Sequence, residues 1–372
     1  MIPAEARECS VPESLSDPRA RRAFDIASIE RGGRPVEVME HIICKRPFAN
    51  LNVFACADLC KDGIFQDGFL LIAPLAGGFP ILIRDLVIDL LRHGKMVAVA
   101  DWFDARYVPC KAGRFALEEQ IGYVTDMVRM LGPRLHLVGI CQAAVPVLAA
   151  TAVLAANEPA KAPSSMILMG GPIDPLANPT SVVERLRSHP LKWFHEHVIE
   201  PVPPGWPGEG RLVYPKALQL MTFTGYLARH FAQGKELCWK FLADDGEDPV
   251  HFPFSALALA LMDLPAELFL ENIRCIFQDR DLVRHNMRFA GDRVDLHAIN
   301  ATALMTVEAA QDDISAPGQT SAAHALCKSI PSRKRRHLLV DDCGHFSLFH
   351  GRICRTLVAP QIIGFTKQAE SC

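Results

Sequence analysis

Runs of consecutive apolar residues alternate along the first half of the chain with segments of helical periodicity. The apolar runs predict buried strands at residues 51–56, 69–75, 95–101, 134–140 and 165–170. Helical spacing is found between them, at residues 81–92, 115–131 and 142–156. Continuously apolar strands separated by helices predict a mostly parallel sheet covered by helices on both faces, which is an α/β fold.

This alternation stops near residue 175 and returns only with apolar runs at 301–308 and 337–341. The intervening segment is helical and irregular and predicts a cap over an active site, although a separate packing domain would give the same pattern. The predicted organisation therefore has four parts. These are a polar N-terminal segment (1–46), the first part of the core (47–174), a helical cap insertion (175–299) and the second part of the core (300–372).

Composition and charge exclude several classes of protein. Hydrophobic residues make up 49% of the 372 positions, and the net charge is only −3, so nothing indicates binding to nucleic acid or to an anionic membrane. We find neither a signal peptide in the polar first 34 residues nor an apolar run long enough to span a membrane. Twelve scattered cysteines in such a chain predict reduced thiols and a cytoplasmic location.

The pentapeptide G-I-C-Q-A at residues 139–143 joins a predicted buried strand directly to a predicted helix. Small residues two positions before and after Cys141 are needed because the turn is strained and closely packed. This is the strand–turn–helix pattern of G-x-S-x-G, the nucleophile turn of α/β-hydrolases, with cysteine in place of serine. A buried core cysteine is the alternative, but the flanking strand and helix favour Cys141 as a nucleophile at a helix N-terminus, where the thiolate is stabilised.

A nucleophile of this kind needs a base and an acid, which in this fold follow it in the order acid, then histidine. His345 lies on the loop after the last predicted strand, whereas His324 and His350 fall on helical stretches. A glycine before His345 is expected to let the loop turn. The acid is predicted at Asp312 or Asp313, with Asp312 favoured as the first carboxylate after its strand and Asp174 as a weaker alternative.

The predicted oxyanion hole consists of backbone N–H groups. One belongs to Gln142, directly after the nucleophile, and the other to Leu75 or Ala76 on the loop after the 69–75 strand. Such acyl-transfer chemistry requires no organic cofactor and no metal ion, and we predict neither.

The chain also resembles a known family, the intracellular poly(3-hydroxybutyrate) depolymerases, which are similar to the catalytic domains of polyhydroxyalkanoate synthases. The resemblance extends from about residue 68 to 365. It is carried by D-W-F-D-A-R-Y-V-P (101–109), I-C-Q-A-A-V-P-V-L-A-A (140–150), G-G-P-I-D (170–174), M-D-L-P-A-E (262–267), D-D-I-S-A-P-G-Q-T (312–320) and G-H-F (344–346). The family's catalytic cysteine, aspartate and histidine match Cys141, Asp312 and His345.

This resemblance implies hydrolysis of a storage polyester to 3-hydroxybutyrate and its oligomers, with the polymer granule as the partner. Four features depart from the family pattern. Ala76-Gly77-Gly78 replaces Ser-Gly-His, Ala143 replaces a proline, Ala309-Ala310 replaces Gly-Glu, and the region before residue 34 is shorter.

Three other functions are compatible with the same residues. A polyhydroxyalkanoate synthase-like acyltransferase would share the cysteine triad but would be expected to have glycines after the nucleophile turn. A thiolytic depolymerase would use coenzyme A instead of water as the acceptor. A non-catalytic granule-associated protein would keep the fold and bind the polymer without turnover.

Overall fold

The computed structural model of the protein describes residues 24–58, 68–75, 80–246 and 253–370. The strands in these ranges are β1 (Ser28–Arg31), β2 (Arg34–Lys45), β3 (Ala49–Cys56), β4 (Gly68–Ile72), β5 (Met96–Trp102), β6 (Leu135–Ile140), β7 (Ser165–Met169), β8 (Glu200–Pro201), β9 (Leu212–Tyr214), β10 (Leu264–Pro265), β11 (Arg288–Phe289), β12 (Asp292–Arg293), β13 (Ala303–Ala309) and β14 (Arg335–Val340). The α-helices are α1 (Arg84–Arg92), α2 (Leu117–Leu131), α3 (Ala144–Asn157), α4 (Ser181–Arg187), α5 (Leu191–Val198), α6 (Lys216–Gln233), α7 (Glu236–Ala243), α8 (Phe254–Ala258), α9 (Ala266–Asn272), α10 (Ala323–Leu326), α11 (Gly351–Ile353) and α12 (Ala359–Glu370).

Nine of these strands form one sheet in the order β1-β2-β3-β5-β4-β6-β7-β13-β14. The six strands from β5 to β14 in this order are parallel, whereas β1, β2 and β3 are antiparallel at one edge. Alternate residues of β4 contribute to different cores, because Leu70 packs with α2 and α3 while Leu71 packs with α1 and α12. The predicted mostly parallel sheet, flanked by helices, is confirmed.

The observed element bounds differ from the predicted ones by a few residues. The 69–75 run forms a strand only to Ile72, and the helix predicted from residue 142 begins as an α-helix at Ala144 after one 3₁₀ turn. β1 and β2 lie within the predicted polar N-terminal segment and were not anticipated. Most residues of β2 are exposed, so no apolar pattern marked it as a strand.

The described residues between β7 and β13 contain helices α4 to α9 and five short strands, three of which form a small sheet in the order β10-β9-β8. Polar groups attach this segment to the core. Arg106 pairs with Asp263 at 2.7 Å and Lys216 pairs with Asp104 at 3.4 Å. Burial, together with the nearby charge of Asp263, raises the pKa of Asp104 to about 6. None of the helices in the described part of the chain is both long enough and apolar enough to cross a membrane.

Candidate active site

Cys141 lies at the sharp turn between β6 and α3. Its backbone has φ of +54°, in the left-handed region that a non-glycine residue rarely adopts, and its side chain is half-buried. Space at the turn is limited, since a Cβ atom at Gly139 would lie 2.8 Å from the Cα atom of Ala144. The strained turn therefore depends on a glycine two residues before the cysteine, as the sequence pattern suggested.

Other cysteines of the described chain have a different environment. Burial raises the pKa of Cys275, Cys327 and Cys343 to about 12, which keeps these thiols protonated and unreactive at neutral pH. Cys141 is instead only half-buried and lies beside an imidazole.

That imidazole belongs to His345, which follows β14 and is 96% buried, with 4% of its surface exposed. Its Nδ1 lies 2.6 Å from Oδ2 of Asp312, and the Cys141 side chain lies close enough to influence the same ring. Burial lowers the pKa of His345, but the charges of Asp312 and Cys141 and the hydrogen bond to Asp312 raise it well above its usual value. The arrangement stabilises the protonated form of the imidazole.

Both carboxylate oxygens of Asp312 have hydrogen-bond partners. Its Oδ1 accepts hydrogen bonds from the backbone N–H groups of Ile314 and Ser315, each at 2.8 Å, so Oδ2 remains directed to His345. The structure therefore brings together the three side chains that the sequence analysis nominated as nucleophile, acid and base.

Asp313 serves a different part of the molecule. Its carboxylate accepts a hydrogen bond from the Tyr226 hydroxyl and lies 3.1 Å from Nε2 of His230 and 3.4 Å from Nζ of Lys235. Burial raises the pKa of Asp313, but its bonds to Tyr226 and His230 and the charge of Lys235 lower it overall. Helix α6 and the turn after it are thus attached to the residue next to the triad acid.

A cavity of about 380 Å³ lies beside this network. It is bordered by Asp312 and Asp313 on one side and by residues of α6 and the start of α4 on the other. Its lining residues include neither Cys141 nor His345, so this cavity is bordered by Asp312 but not by the cysteine or the imidazole.

Gly344 is required for a reason other than the one expected. Its φ of −95° is accessible to any residue, so the glycine is not needed to turn the loop. A Cβ atom at this position would instead lie 2.3 Å from Oε2 of Glu236. Because the other carboxylate oxygen of Glu236 accepts a hydrogen bond from the Ser347 hydroxyl, α7 packs tightly against the loop that carries His345.

Sequence analysis missed Glu308, the charged residue near the end of the buried strand β13. Its carboxylate accepts hydrogen bonds from the backbone N–H groups of Gly318, Thr320 and Ser321 at 2.8–3.0 Å. Thr320 in turn bonds through its hydroxyl to both the N–H and the carbonyl of Gly171, after β7. Glu308 thereby holds the loop that begins with the triad acid. A carboxylate in an otherwise apolar strand was the available signal.

The rival candidates lie in other interactions. Asp174 forms a two-oxygen ion pair with Arg280 at 2.7 Å. His324 lies at the start of α10, with Nε2 2.9 Å from the Thr306 hydroxyl, and burial lowers its pKa to about 4. His350 precedes α11, and burial together with the charge of Lys240 lowers its pKa to about 3.

Only some of the expected oxyanion-hole donors lie within the residues that the structure describes. Gln142 lies in the 3₁₀ turn directly after Cys141, and Leu75 is buried at the end of the segment that follows β4. Ala76 and the glycines after it lie outside the described residues. The described residues contain no group of three His, Cys, Asp or Glu side chains that could hold a metal ion.

The strand order and the nucleophile turn define an α/β-hydrolase fold. Solved structures agree with this. A 2-hydroxy-6-oxo-6-phenylhexa-2,4-dienoate hydrolase from Rhodococcus sp. strain RHA1 has 14% identity and a TM-score of 0.52, over 89% of this chain and 99% of that chain. A hypothetical protein from Pseudomonas aeruginosa has 11% identity and a TM-score of 0.51, over 94% and 98% of the two chains.

The chain belongs to the family described as PHB de-polymerase C-terminus, whose model matches residues 170–370. This confirms the family resemblance drawn from the sequence motifs. The matched region contains Asp312 and His345, whereas Cys141 precedes it. No protein of curated function matches the sequence.

Proposed function

We propose that this protein is a cytoplasmic depolymerase that hydrolyses poly(3-hydroxybutyrate) or a related polyhydroxyalkanoate on storage granules, releasing 3-hydroxybutyrate and oligomers. The observation that carries the proposal is that Cys141, on the strained turn after β6, lies beside the hydrogen-bonded pair of His345 and Asp312. Membership of the PHB de-polymerase family supports a polyester as the substrate.

The reaction proceeds in two acyl-transfer steps. His345 accepts the thiol proton of Cys141, and the sulfur attacks the ester carbonyl to form a tetrahedral oxyanion. Backbone N–H groups of Gln142 and of the loop at Leu75 and Ala76 stabilise this oxyanion. The C–O bond then breaks, and the alcohol end of the polymer leaves with the proton from His345. A 3-hydroxyacyl thioester remains on Cys141.

Water completes the cycle. His345 removes a proton from the water molecule as its oxygen attacks the thioester, and the carboxylic acid product leaves as the proton returns to the Cys141 sulfur. Asp312 holds the imidazole in the orientation both steps need and stabilises its protonated form. We also propose that the insertion at 175–299 acts as a cap, supported by its contacts with Asp313 and with the His345 loop.

The test is release of 3-hydroxybutyrate from amorphous poly(3-hydroxybutyrate) granules by the wild type and by Cys141→Ala, each assayed with and without coenzyme A. Cys343→Ala is the matched control, because this neighbouring thiol is buried and unreactive. Release by wild type and control that is abolished in Cys141→Ala supports the proposal. Release that needs coenzyme A would identify thiolysis. No release under either condition from folded wild type would refute the depolymerase function.

A further inference from the structure

Helix α6 exposes apolar residues and buries polar ones. Six uncharged residues lie along its outer face, most of them three or four positions apart. They are Ala217, Leu220, Met221, Thr224, Ala228 and Phe231, and all are exposed. The fully buried residues of this 18-residue helix are instead Gln219 and His230. A surface helix normally has the opposite arrangement, with its apolar stripe facing the core.

The next helix, α7, buries Leu237 and Cys238 but also exposes large apolar residues. Lys240 is buried and pairs with Asp245 at 3.0 Å, whereas Trp239 and Leu242 have exposed fractions of 60% and 65%. The Trp239 indole N–H donates to the carbonyl of Gly234 at 2.9 Å, so the ring presents no unsatisfied polar group to its surroundings.

We call the exposed apolar residues of α6 and α7 the hairpin face; they are Leu220, Met221, Phe231, Trp239 and Leu242. Single exposed apolar side chains are ordinary on protein surfaces, but five large ones on two helices that pack together indicate an interaction site. Met221, with 70% of its surface exposed, is the most exposed member.

The two lysines near the ends of α6 are paired with carboxylates. Lys216 pairs with Asp104, and Lys235 pairs with Asp313. Arg229 lies over the Tyr226 ring, 5.7 Å from its centre. No formal charge lies on α6 between Lys216 and Arg229. Anionic lipid surfaces attract clusters of unpaired lysine and arginine, which this face does not offer. An uncharged apolar surface fits it better.

The hairpin face is also continuous with the candidate active site. On the inner side of α6, the Phe223 ring lies 6.3 Å from the ring of Phe346, the residue after His345. Phe223 and Phe231 both contact Phe241 of α7, so aromatic side chains hold the two helices together next to the loop that carries His345.

We propose that the hairpin face adsorbs the protein to the surface of an amorphous, uncharged polyester and thereby places the Cys141 site next to the polymer. This inference rests on the proposed function, since a polyester is the only neutral apolar substrate that the family membership supports. Adsorption itself requires no bond to be made or broken. It depends on burial of the hairpin face against the polymer.

The experiment measures binding and catalysis separately. Binding of Cys141→Ala protein to amorphous poly(3-hydroxybutyrate) granules is compared with binding of Cys141→Ala carrying Met221→Glu or Leu242→Glu. Met130→Glu is the matched control, since Met130 is 45% exposed on α2. Each hairpin substitution is expected to weaken binding by about tenfold or more, because a charge replaces buried apolar surface. The control is expected to bind as before.

The same substitutions in the Cys141 background are assayed on p-nitrophenyl butyrate, a soluble ester, where their rates should stay within about twofold of wild type. Unchanged granule binding by both hairpin variants would overturn the adsorption proposal while leaving the proposed function intact. A wild type with no activity on the soluble ester would refute the esterase site without affecting the binding result.

Two further measurements exclude other occupants. Equal binding of the wild type to phosphatidylcholine vesicles and to granules would overturn the assignment to a polyester. Sedimentation showing a dimer that Met221→Glu dissociates would also overturn it, because the hairpin face would then join two copies of the chain. A monomer that binds granules much more tightly than vesicles supports the proposal.

Discussion

Asp312 and Asp313 are consecutive in the chain, yet their carboxylates bind opposite parts of the molecule. Asp312 accepts from His345 in the core, whereas Asp313 accepts from Tyr226 in the insertion. A single turn after β13 therefore connects the His345–Asp312 pair to the insertion between β7 and β13. Substitution of either residue removes one of these two connections and leaves the other in place.

Asp312→Asn should reduce kcat for ester hydrolysis about a thousandfold or more, because the imidazole loses the carboxylate that orients and charges it. Asp313→Asn should reduce kcat less than tenfold, since its partners lie in α6 and the turn after it. Both follow from steady-state kinetics with a soluble ester. Equal losses in the two variants would contradict the assignment of Asp312 as the triad acid.

Cys141 should be the most rapidly alkylated thiol of the protein. Iodoacetamide at pH 6 is expected to modify it at least tenfold faster than Cys343, whose pKa burial raises to about 12. His345→Gln should slow modification of Cys141 by about tenfold or more at this pH, because the base that accepts the thiol proton is lost. Peptide mass spectrometry after timed quenching measures both rates. Similar rates in wild type and His345→Gln would show that His345 does not activate Cys141.

Gly139→Ala should destabilise the nucleophile turn. The added methyl group would lie 2.8 Å from the Cα atom of Ala144, so the turn must shift, at a cost of about 1–3 kcal/mol in the free energy of unfolding and with loss of activity. Gly225→Ala on α6 is the control, because a Cβ atom there meets nothing within 4 Å. It should be neutral or stabilise by up to about 1 kcal/mol. Urea unfolding with a matched activity assay distinguishes the two.

The stability of the protein should decrease between weakly acidic and neutral pH because of Asp89 on α1. Burial and the nearby carboxylate of Asp85 raise the pKa of Asp89 from 3.8 to about 7. The folded state therefore retains a proton that the unfolded chain loses near pH 4. The stabilisation is complete below pH 3.8 and is lost as pH rises through about 7.

Asp89→Asn mimics the protonated form and should remove this dependence, by about 1–3 kcal/mol between pH 5 and pH 8. Urea unfolding at several pH values in that window measures the difference from wild type. Asp341→Asn, at an exposed position, serves as the control. A wild type and an Asp89→Asn variant with parallel pH profiles would contradict the prediction.

The parallel core could be predicted because its strands are apolar on both faces and so form unbroken runs. The residues Cys141, Asp312 and His345 could be nominated for a related reason, since the carboxyl ends of such strands meet at one edge of the sheet. The position of Asp312 as the first carboxylate after the strand favours it over Asp313, but the structural reason for the choice is not visible in the spacing. It depends on which way each carboxylate turns after β13, and the backbone N–H groups of Ile314 and Ser315 decide that direction.

Elements with inverted or mixed patterns could not be predicted. β2 is exposed along most of its length and pairs with β3 through backbone groups that carry no side-chain signature. The burial of Lys240 and the exposure of Trp239 are the reverse of what residue type suggests, because local ion pairing outweighs hydropathy there. The reason predicted for a glycine at position 344 is also wrong. The residue must be small because Glu236, which is remote in sequence, packs against it.

The two outer strands of the sheet affect how the protein behaves when many copies gather on one surface. β1 spans only four residues, and β14 begins with two consecutive arginines, Arg335 and Arg336. Arg335 also draws the 324–330 segment against the strand by donating to carbonyl groups of that segment. Short or charged outer strands are poor templates for a further strand from another molecule. Crowding would therefore leave neighbouring copies as separate folded particles instead of joining their sheets into fibrils.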